Sequence, residues 1–202
     1  MDFASSAWEI FSQSISDYHL TDEVDEPQKQ PFPGGSLEQL LYTKNWIDTV
    51  QWHLEDIIRD ENINPEAALL LKRRIDASNQ QRTDLVEYLD SWFLTRYKDI
   101  TPHPEARINT ETPAWAVDRL SILALKVYHM RQEAERLSAS EEHRMKCSAK
   151  LNVLLEQKTD LMTSINQLLA EIENGEVKMK TYKQMKMYND ESLNPVLYQK
   201  AK

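Results

Sequence analysis

Glycine and cysteine are almost absent from this chain of 202 residues. Three glycines, Gly34, Gly35 and Gly175, are too few for a fold built on tight hairpins, and no glycine-rich loop is present to hold nucleotide phosphates. The single cysteine, Cys147, excludes an internal disulfide and a thiolate metal cluster, and it is typical of a reducing compartment. These absences favour an all-α protein.

Long hydrophobic runs are lacking as well. No apolar stretch approaches the length needed to cross a bilayer, and the amino terminus has no basic segment followed by an apolar one. We therefore expect no membrane span and a cytoplasmic location. Hydrophobic residues still make up 41% of the chain, which is sufficient for a core.

Positive charge is scarce in the first third of the chain. The net charge is −9, and residues 1–63 hold thirteen acidic residues against only three basic ones, Lys29, Lys44 and Arg59. Because binding to phosphate backbones needs a basic face, we predict no nucleic-acid partner. The exception is a carboxyl-terminal group of lysines, which we interpret as a solvated tail or as an arm for an acidic protein partner. Its members are Lys178, Lys180, Lys183 and Lys186.

The spacing of apolar residues predicts a short amino-terminal helix and four long ones. The first helix covers residues 3–16, and the arm that completes segment 1–35 is rich in proline and acids. Two hairpins follow, over 36–99 and 112–175, each with two helices joined by a short connection and therefore antiparallel. We predict an antiparallel bundle over 36–175 and a basic tail over 176–202.

The two hairpins share a sequence pattern at a fixed offset of 76 residues. Residues 81–85 align with 157–161, and the pair Trp52-His53 aligns with the pair Tyr128-His129. This pattern arises either from duplication of one hairpin or from coincidental similarity between core helices. Under duplication, His53 lies opposite His129 and Arg82 corresponds to Lys158.

Two cations interrupt apolar stripes in the predicted helices. Arg82 and Lys158 stand where the three- and four-residue spacing calls for a hydrophobic side chain, and His53 also lies on an apolar face. Buried cations need partners, so three interpretations are open: a salt-bridge layer that fixes helix register, a pocket for a small anionic ligand, or side chains that extend to the surface. The candidate carboxylates are Asp56, Asp118 and Glu133.

Metal and catalytic motifs are weak in this sequence. Di-metal bundles need a glutamate three residues before each histidine, but Val50 and Lys126 occupy those positions. A mononuclear site fits the spacing, although we predict no metal and no cofactor. Its ligands would be His53, Asp56, His129 and Glu133. Neither Cys147 nor any serine lies in a nucleophile motif, so the catalytic residues stay unknown.

Four strings carry a family resemblance: residues 52–59, 72–76, 79–87 and 118–126. They resemble the uncharacterised bacterial family catalogued as domain of unknown function 4254. The resemblance implies a bacterial cytoplasmic protein with no assigned activity. It also points to distinctive polar positions, namely His53, Asp56, Arg59, Asp76, Asn79, Arg82, Asp84, Asp118, Arg119, Lys126 and His129.

Three functional hypotheses follow. The first is a binding or adaptor protein whose mid-bundle polar layer holds a small anionic ligand or whose charged ends bind a protein partner. The second is an enzyme for a phosphorylated or sugar substrate, with His53 or His129 as general base. The third is a structural oligomer such as a homodimer. The predicted ligand-binding residues are His53, Asp56, Asn79, Arg82, Asp118, Arg119, Lys126, His129, Glu133 and Lys158.

Overall fold

A computed structural model describes residues 2–185, 187 and 190–199, and it confirms the predicted all-α bundle. Lys186 of the basic tail lies outside the described residues. The helices are α1 (Phe3–Tyr18), α2 (Leu37–Ile57), α3 (Pro65–Arg96), α4 (Pro113–Glu135), α5 (Glu141–Glu173) and α6 (Pro195–Tyr198). The only β-structure in this part of the chain is an isolated bridge between Arg107 and Val177.

The long helices begin at side chains that cap exposed backbone amides. Ser36 accepts a hydrogen bond from the Gln39 amide at 3.1 Å and starts α2. Asn64 caps α3 ahead of Pro65, and Thr112 caps α4. Each cap satisfies a backbone N–H that has no partner within its helix, which is why the sequence signals place these starts correctly.

The helices α2 and α3 form one hairpin, α4 and α5 form the other, and α1 packs against α2, α4 and α5. Phe11 and Tyr18 of α1 are fully buried together with Phe93 of α3 and Leu120 of α4. The amino-terminal helix is therefore part of the same hydrophobic core as both hairpins.

An open face lies between α3 and α5. Both helices pack on α4, but over the described residues their backbones stay more than 8 Å apart between Cα atoms. The outer face of α4 consequently forms the floor of a depression whose walls belong to different hairpins.

The chain beyond α5 is held by the loop that joins the hairpins. Gly175 adopts a φ of +77°, the left-handed conformation that ends many helices, and Val177 is buried. The Arg107 amide donates to the Glu176 carbonyl at 3.0 Å, and the Lys178 amide donates to the Arg107 carbonyl at 2.9 Å. No helix in the described ranges is long and apolar enough to span a membrane.

Candidate functional site

A buried layer of charged residues crosses the middle of the bundle. We call Lys44, Asp48, Arg82 and Asp118 the polar layer. The Lys44 ammonium is fully buried and donates to the carboxylates of Asp48 and Asp118, the latter at 2.7 Å. Ser121 donates a further hydrogen bond to Asp48 at 2.6 Å. Two cations thus balance two carboxylates, which offsets much of the cost of removing these charges from water.

Arg82 joins the polar layer from α3. Its Nε donates to Asp48, its Nη1 donates to Asn79 at 3.2 Å, and its Nη2 lies 3.9 Å from Asp118. Burial is the largest single effect and lowers the pKa of Arg82, but the carboxylates of Asp48, Asp118 and Glu55 together outweigh it and raise the pKa above its ordinary value. The guanidinium is therefore always charged, and its orientation is fixed by its partners.

Two cavities open beside the polar layer, and Ile122 of α4 lines both of them. The first, about 300 Å³, is bounded by α2, α3 and Ile122, and the second, about 610 Å³, is bounded by α4 and α5. Together they occupy the open face between α3 and α5, and we call them the cleft. Six of the ten predicted residues line it. In the first cavity these are Asp56, Asn79 and Arg82, and in the second they are Asp118, Arg119 and Lys126.

Two other predicted residues, His53 and His129, meet in a separate place. Their rings lie 5.5 Å apart between centroids, and His19 at the end of α1 joins them at 5.2 and 5.3 Å. We call His19, His53 and His129 the histidine cluster. One nitrogen atom from each ring lies within 4.8 Å of the corresponding nitrogen atoms of the other two rings. Three imidazoles from three helices therefore converge.

Aromatic rings surround the histidine cluster and fix its ring planes. Trp52 stacks on His129 at 4.8 Å, and Tyr18 stacks on His53 at 5.1 Å. Burial, together with the neighbouring His19 and His53, lowers the pKa of His129 to about 4. Burial also lowers the pKa of His53. Both imidazoles are therefore neutral at physiological pH and can act as metal ligands or proton acceptors.

The remaining predicted residues, Glu133 and Lys158, lie in other environments. Glu133 accepts hydrogen bonds from Arg136 and pairs with His143 at 2.8 Å, near the end of α4. The Lys158 ammonium lies 4.2 Å from the centroid of the Trp8 ring, a cation–π contact with α1. Lys158 is thus not a counterpart of Arg82 in the polar layer.

The comparison with protein families assigns the chain to a group. A profile of the family described as protein of unknown function, DUF4254, matches residues 38–181, which is more than half of the chain. The chain belongs to the DUF4254 family. No curated protein and no solved structure matches it.

The DUF4254 segment contains the polar layer, the residues of the cleft and two members of the histidine cluster. His19 lies before the segment, in the chain that precedes residue 38. The histidine cluster thus combines two residues of the DUF4254 segment with one contributed by α1.

Sequence reasoning missed Lys44, Asp48 and His19. Lys44 and Asp48 are four residues apart and so lie on one helical face, a spacing that is visible in the sequence. However, the apolar stripe through Trp46 and Val50 indicates a different face as the buried one. No local signal relates His19 to residues 34 and 110 positions further along, because only packing of α1 on α2 and α4 brings them together.

Proposed function

We propose that this DUF4254 protein binds a small molecule that carries a carboxylate or phosphate group, and that the ligand occupies the cleft. The observation that carries the proposal is the state of Arg82. Its side chain is 23% exposed at the wall of the first cavity while Asp48 and Asn79 hold its orientation. A guanidinium fixed in this way binds an anionic group without losing further side-chain freedom.

Lys126 supplies a second cation on the floor of the second cavity. Among the ion pairs in the described part of the chain, none involves Lys126. Its neighbour Arg119 is held by Glu111 at 3.2 Å. The Lys126 ammonium therefore has no ion-pair partner to exchange among the described residues, whereas Arg119 would share its guanidinium between Glu111 and the anion.

Acidic side chains in the first cavity favour a ligand that carries hydrogen-bond donors as well as an anionic group. Glu55 and Asp56 line the first cavity together with Asp48, Arg59 and Arg82, so three acids face two bases there. Carboxylates accept hydrogen bonds from hydroxyl or amino groups. The cleft is suited to a small polar molecule with an anionic end and hydroxyl or amino groups elsewhere, such as a sugar phosphate or an amino acid.

Binding is better supported than catalysis. A general base must reach the ligand, but the residues that line the two cavities include neither His53 nor His129. Trp52 lines the first cavity and stacks on His129 at 4.8 Å, so it lies between this imidazole and the cleft. We therefore propose a binding function and not an enzyme with His53 or His129 as base.

We also propose that the protein acts in the bacterial cytoplasm, because the family resemblance and the lone Cys147 favour that location. The protein-adaptor and homodimer hypotheses stay predictions from the sequence. Sedimentation velocity of the purified chain tests the homodimer.

Calorimetric titration with glycerol 3-phosphate and with inorganic phosphate tests the cleft. We expect saturable binding that weakens about tenfold in Lys126→Gln, because a charge-assisted hydrogen bond contributes roughly 1.5–3 kcal/mol. The matched control is Lys150→Gln, an exposed lysine on α5 that lines neither cavity. Equal affinity in both variants would contradict the proposal, as would the absence of saturable binding.

A further inference from the structure

We propose that the histidine cluster and Asp22 form a binding site for a divalent transition-metal ion of the zinc type. His19 caps the carboxyl end of α1, His53 lies in α2 and His129 lies in α4. One ring nitrogen from each of these half-buried histidines lies within 4.8 Å of the other two, so the three imidazoles can face one ion. The site is distinct from the cleft and goes beyond the proposed ligand binding.

The distances fit a tetrahedral zinc ion. A Zn–N bond of about 2.0–2.1 Å and tetrahedral angles place two ligand nitrogens roughly 3.3 Å apart. The Nε2 atoms of His19 and His53 are 3.3 Å apart. The Oδ1 atom of Asp22 lies 3.6 Å from Nε2 of His53 and 3.9 Å from Nε2 of His19. Two imidazoles and a carboxylate are thus close to bonding geometry before an ion enters.

The proton on His19 is already placed for metal binding. Its Nδ1 lies 2.7 Å from the carbonyl oxygen of Ile15, and a carbonyl oxygen can only accept, so Nδ1 carries the hydrogen. The Nε2 atom of neutral His19 therefore presents its lone pair to His53 and Asp22. Histidines that bind a metal usually donate the hydrogen of their other ring nitrogen to a carbonyl or carboxylate oxygen, which fixes the tautomer and the ring orientation.

His129 contributes an unsatisfied nitrogen. Its Nε2 atom is buried and has no hydrogen-bond partner in the described part of the protein. Such a group costs free energy in a packed interior, and a ligand that bonds the imidazole recovers part of that cost. The stacked Trp52 holds the ring plane, and an approach of at most about 1.5 Å brings a ligand nitrogen of His129 to the roughly 3.3 Å separation of zinc ligands.

Asp22 brings the negative charge. It has a φ of +57°, a left-handed conformation that Asp tolerates better than most residues, and its amide donates to the Tyr18 carbonyl at 3.0 Å. One carboxylate with three imidazoles suits Zn²⁺, Co²⁺ or Ni²⁺, whereas Mg²⁺ and Ca²⁺ prefer oxygen ligands. The mononuclear set considered from the sequence shares His53 and His129 with this one, but His19 and Asp22 stand in place of Asp56 and Glu133.

A Co²⁺ titration of chelator-treated full-length protein tests the site. We expect one equivalent to give the intense visible absorption of tetrahedral Co²⁺, and Zn²⁺ to displace it. We expect His129→Gln to lose affinity by more than about 100-fold, since even residues that only support a ligand are worth 10- to 100-fold. The control is His103→Gln, an exposed loop histidine outside the cluster.

Asp22→Asn keeps the test independent of folding, because Asp22 lies on an exposed turn and asparagine tolerates the same backbone conformation. We expect this variant to retain the helical circular dichroism of the wild type and to bind Co²⁺ at least about tenfold more weakly. Failure of the wild type to bind Co²⁺ or Zn²⁺ stoichiometrically would overturn the assignment. Unchanged affinity in Asp22→Asn and in His129→Gln, or an equal loss in His103→Gln, would also overturn it.

Discussion

At the scale of single residues, the polar layer depends on Lys44. Its ammonium is fully buried, and its two carboxylate partners bind Arg82 as well. Removing one member of such a group leaves an opposite charge without compensation in a medium of low dielectric constant. The layer is therefore sensitive to single substitutions in a way that surface ion pairs are not.

Lys44→Met should lower the free energy of unfolding by about 3–5 kcal/mol, because Asp48 would keep only Arg82 and Ser121 as partners. The control is Lys72→Met, which removes an exposed four-residue-spaced pair with Asp76 and should cost less than about 0.5 kcal/mol. Urea unfolding monitored by circular dichroism measures both. Similar losses in the two variants would contradict the account of the layer.

Asp90 is a second residue whose environment predicts a measurable effect. It is 5% exposed, and its Oδ1 atom has no hydrogen-bond partner among the described residues. Burial raises the pKa of Asp90, which the hydrogen bond from Thr112 only partly opposes. The folded state thus binds a proton more tightly than the unfolded state. The stabilisation from this proton is complete at low pH and is lost as pH rises through the folded pKa.

Asp90→Asn should therefore stabilise the protein at about pH 7, by roughly 1 kcal/mol, and the gain should shrink as the pH falls toward about 4. The exposed Asp99→Asn provides the matched control and should change stability little at either pH. Urea midpoints at the two pH values give the comparison. A destabilised Asp90→Asn, or a gain that does not depend on pH, would show that Asp90 is satisfied as a carboxylate.

The sequence could predict that Arg82 needs a buried partner, because the apolar spacing around it is clear. It could not identify Asp48 as that partner. The choice among Asp48, Asp56, Asp118 and Glu133 depends on how α2, α3 and α4 rotate against one another, and this rotation is set by contacts along their full length.

At the scale of elements, α1 is an integral part of the bundle. Ala4, Ala7 and Phe11 are completely buried, and the carboxyl end of α1 delivers His19 to His53 and His129. The apolar spacing predicted this helix, with an end at residue 16 where the structure has Tyr18. The sequence did not indicate which surface of the hairpins α1 covers, because an amphipathic stripe does not specify its partner.

Phe11→Ala should destabilise the whole protein by about 3–5 kcal/mol, the usual loss for a fully buried phenylalanine. Glu9→Ala on the exposed face of the same helix should change stability by less than about 0.5 kcal/mol. Thermal and urea unfolding should both show a single transition. An early transition confined to α1 in the wild type would contradict its place in the common core.

At the scale of the whole molecule, the position of α1 explains the open face. This helix covers the side where α2, α4 and α5 meet, whereas the backbones of α3 and α5 stay apart over the described residues. The cleft results from this unequal packing of four long helices and the shorter α1. Six of ten predicted residues line it because their polar positions lie on the outer face of α4 and on the neighbouring walls. That two other predicted residues, His53 and His129, lie in the histidine cluster instead depends on the three-dimensional arrangement alone.

Ligand binding in the cleft is tested most directly by the guanidinium signal of Arg82, which lies at the wall of the first cavity. We would record nitrogen-15 spectra of the arginine Nε–H groups during titration with glycerol 3-phosphate, with the Arg82 signal assigned by its loss in Arg82→Lys. We expect a saturable shift of the Arg82 signal at concentrations that leave the exposed Arg73 unaffected. Equal, unsaturated shifts of the two signals, or a stationary Arg82 signal, would contradict ligand binding in the cleft.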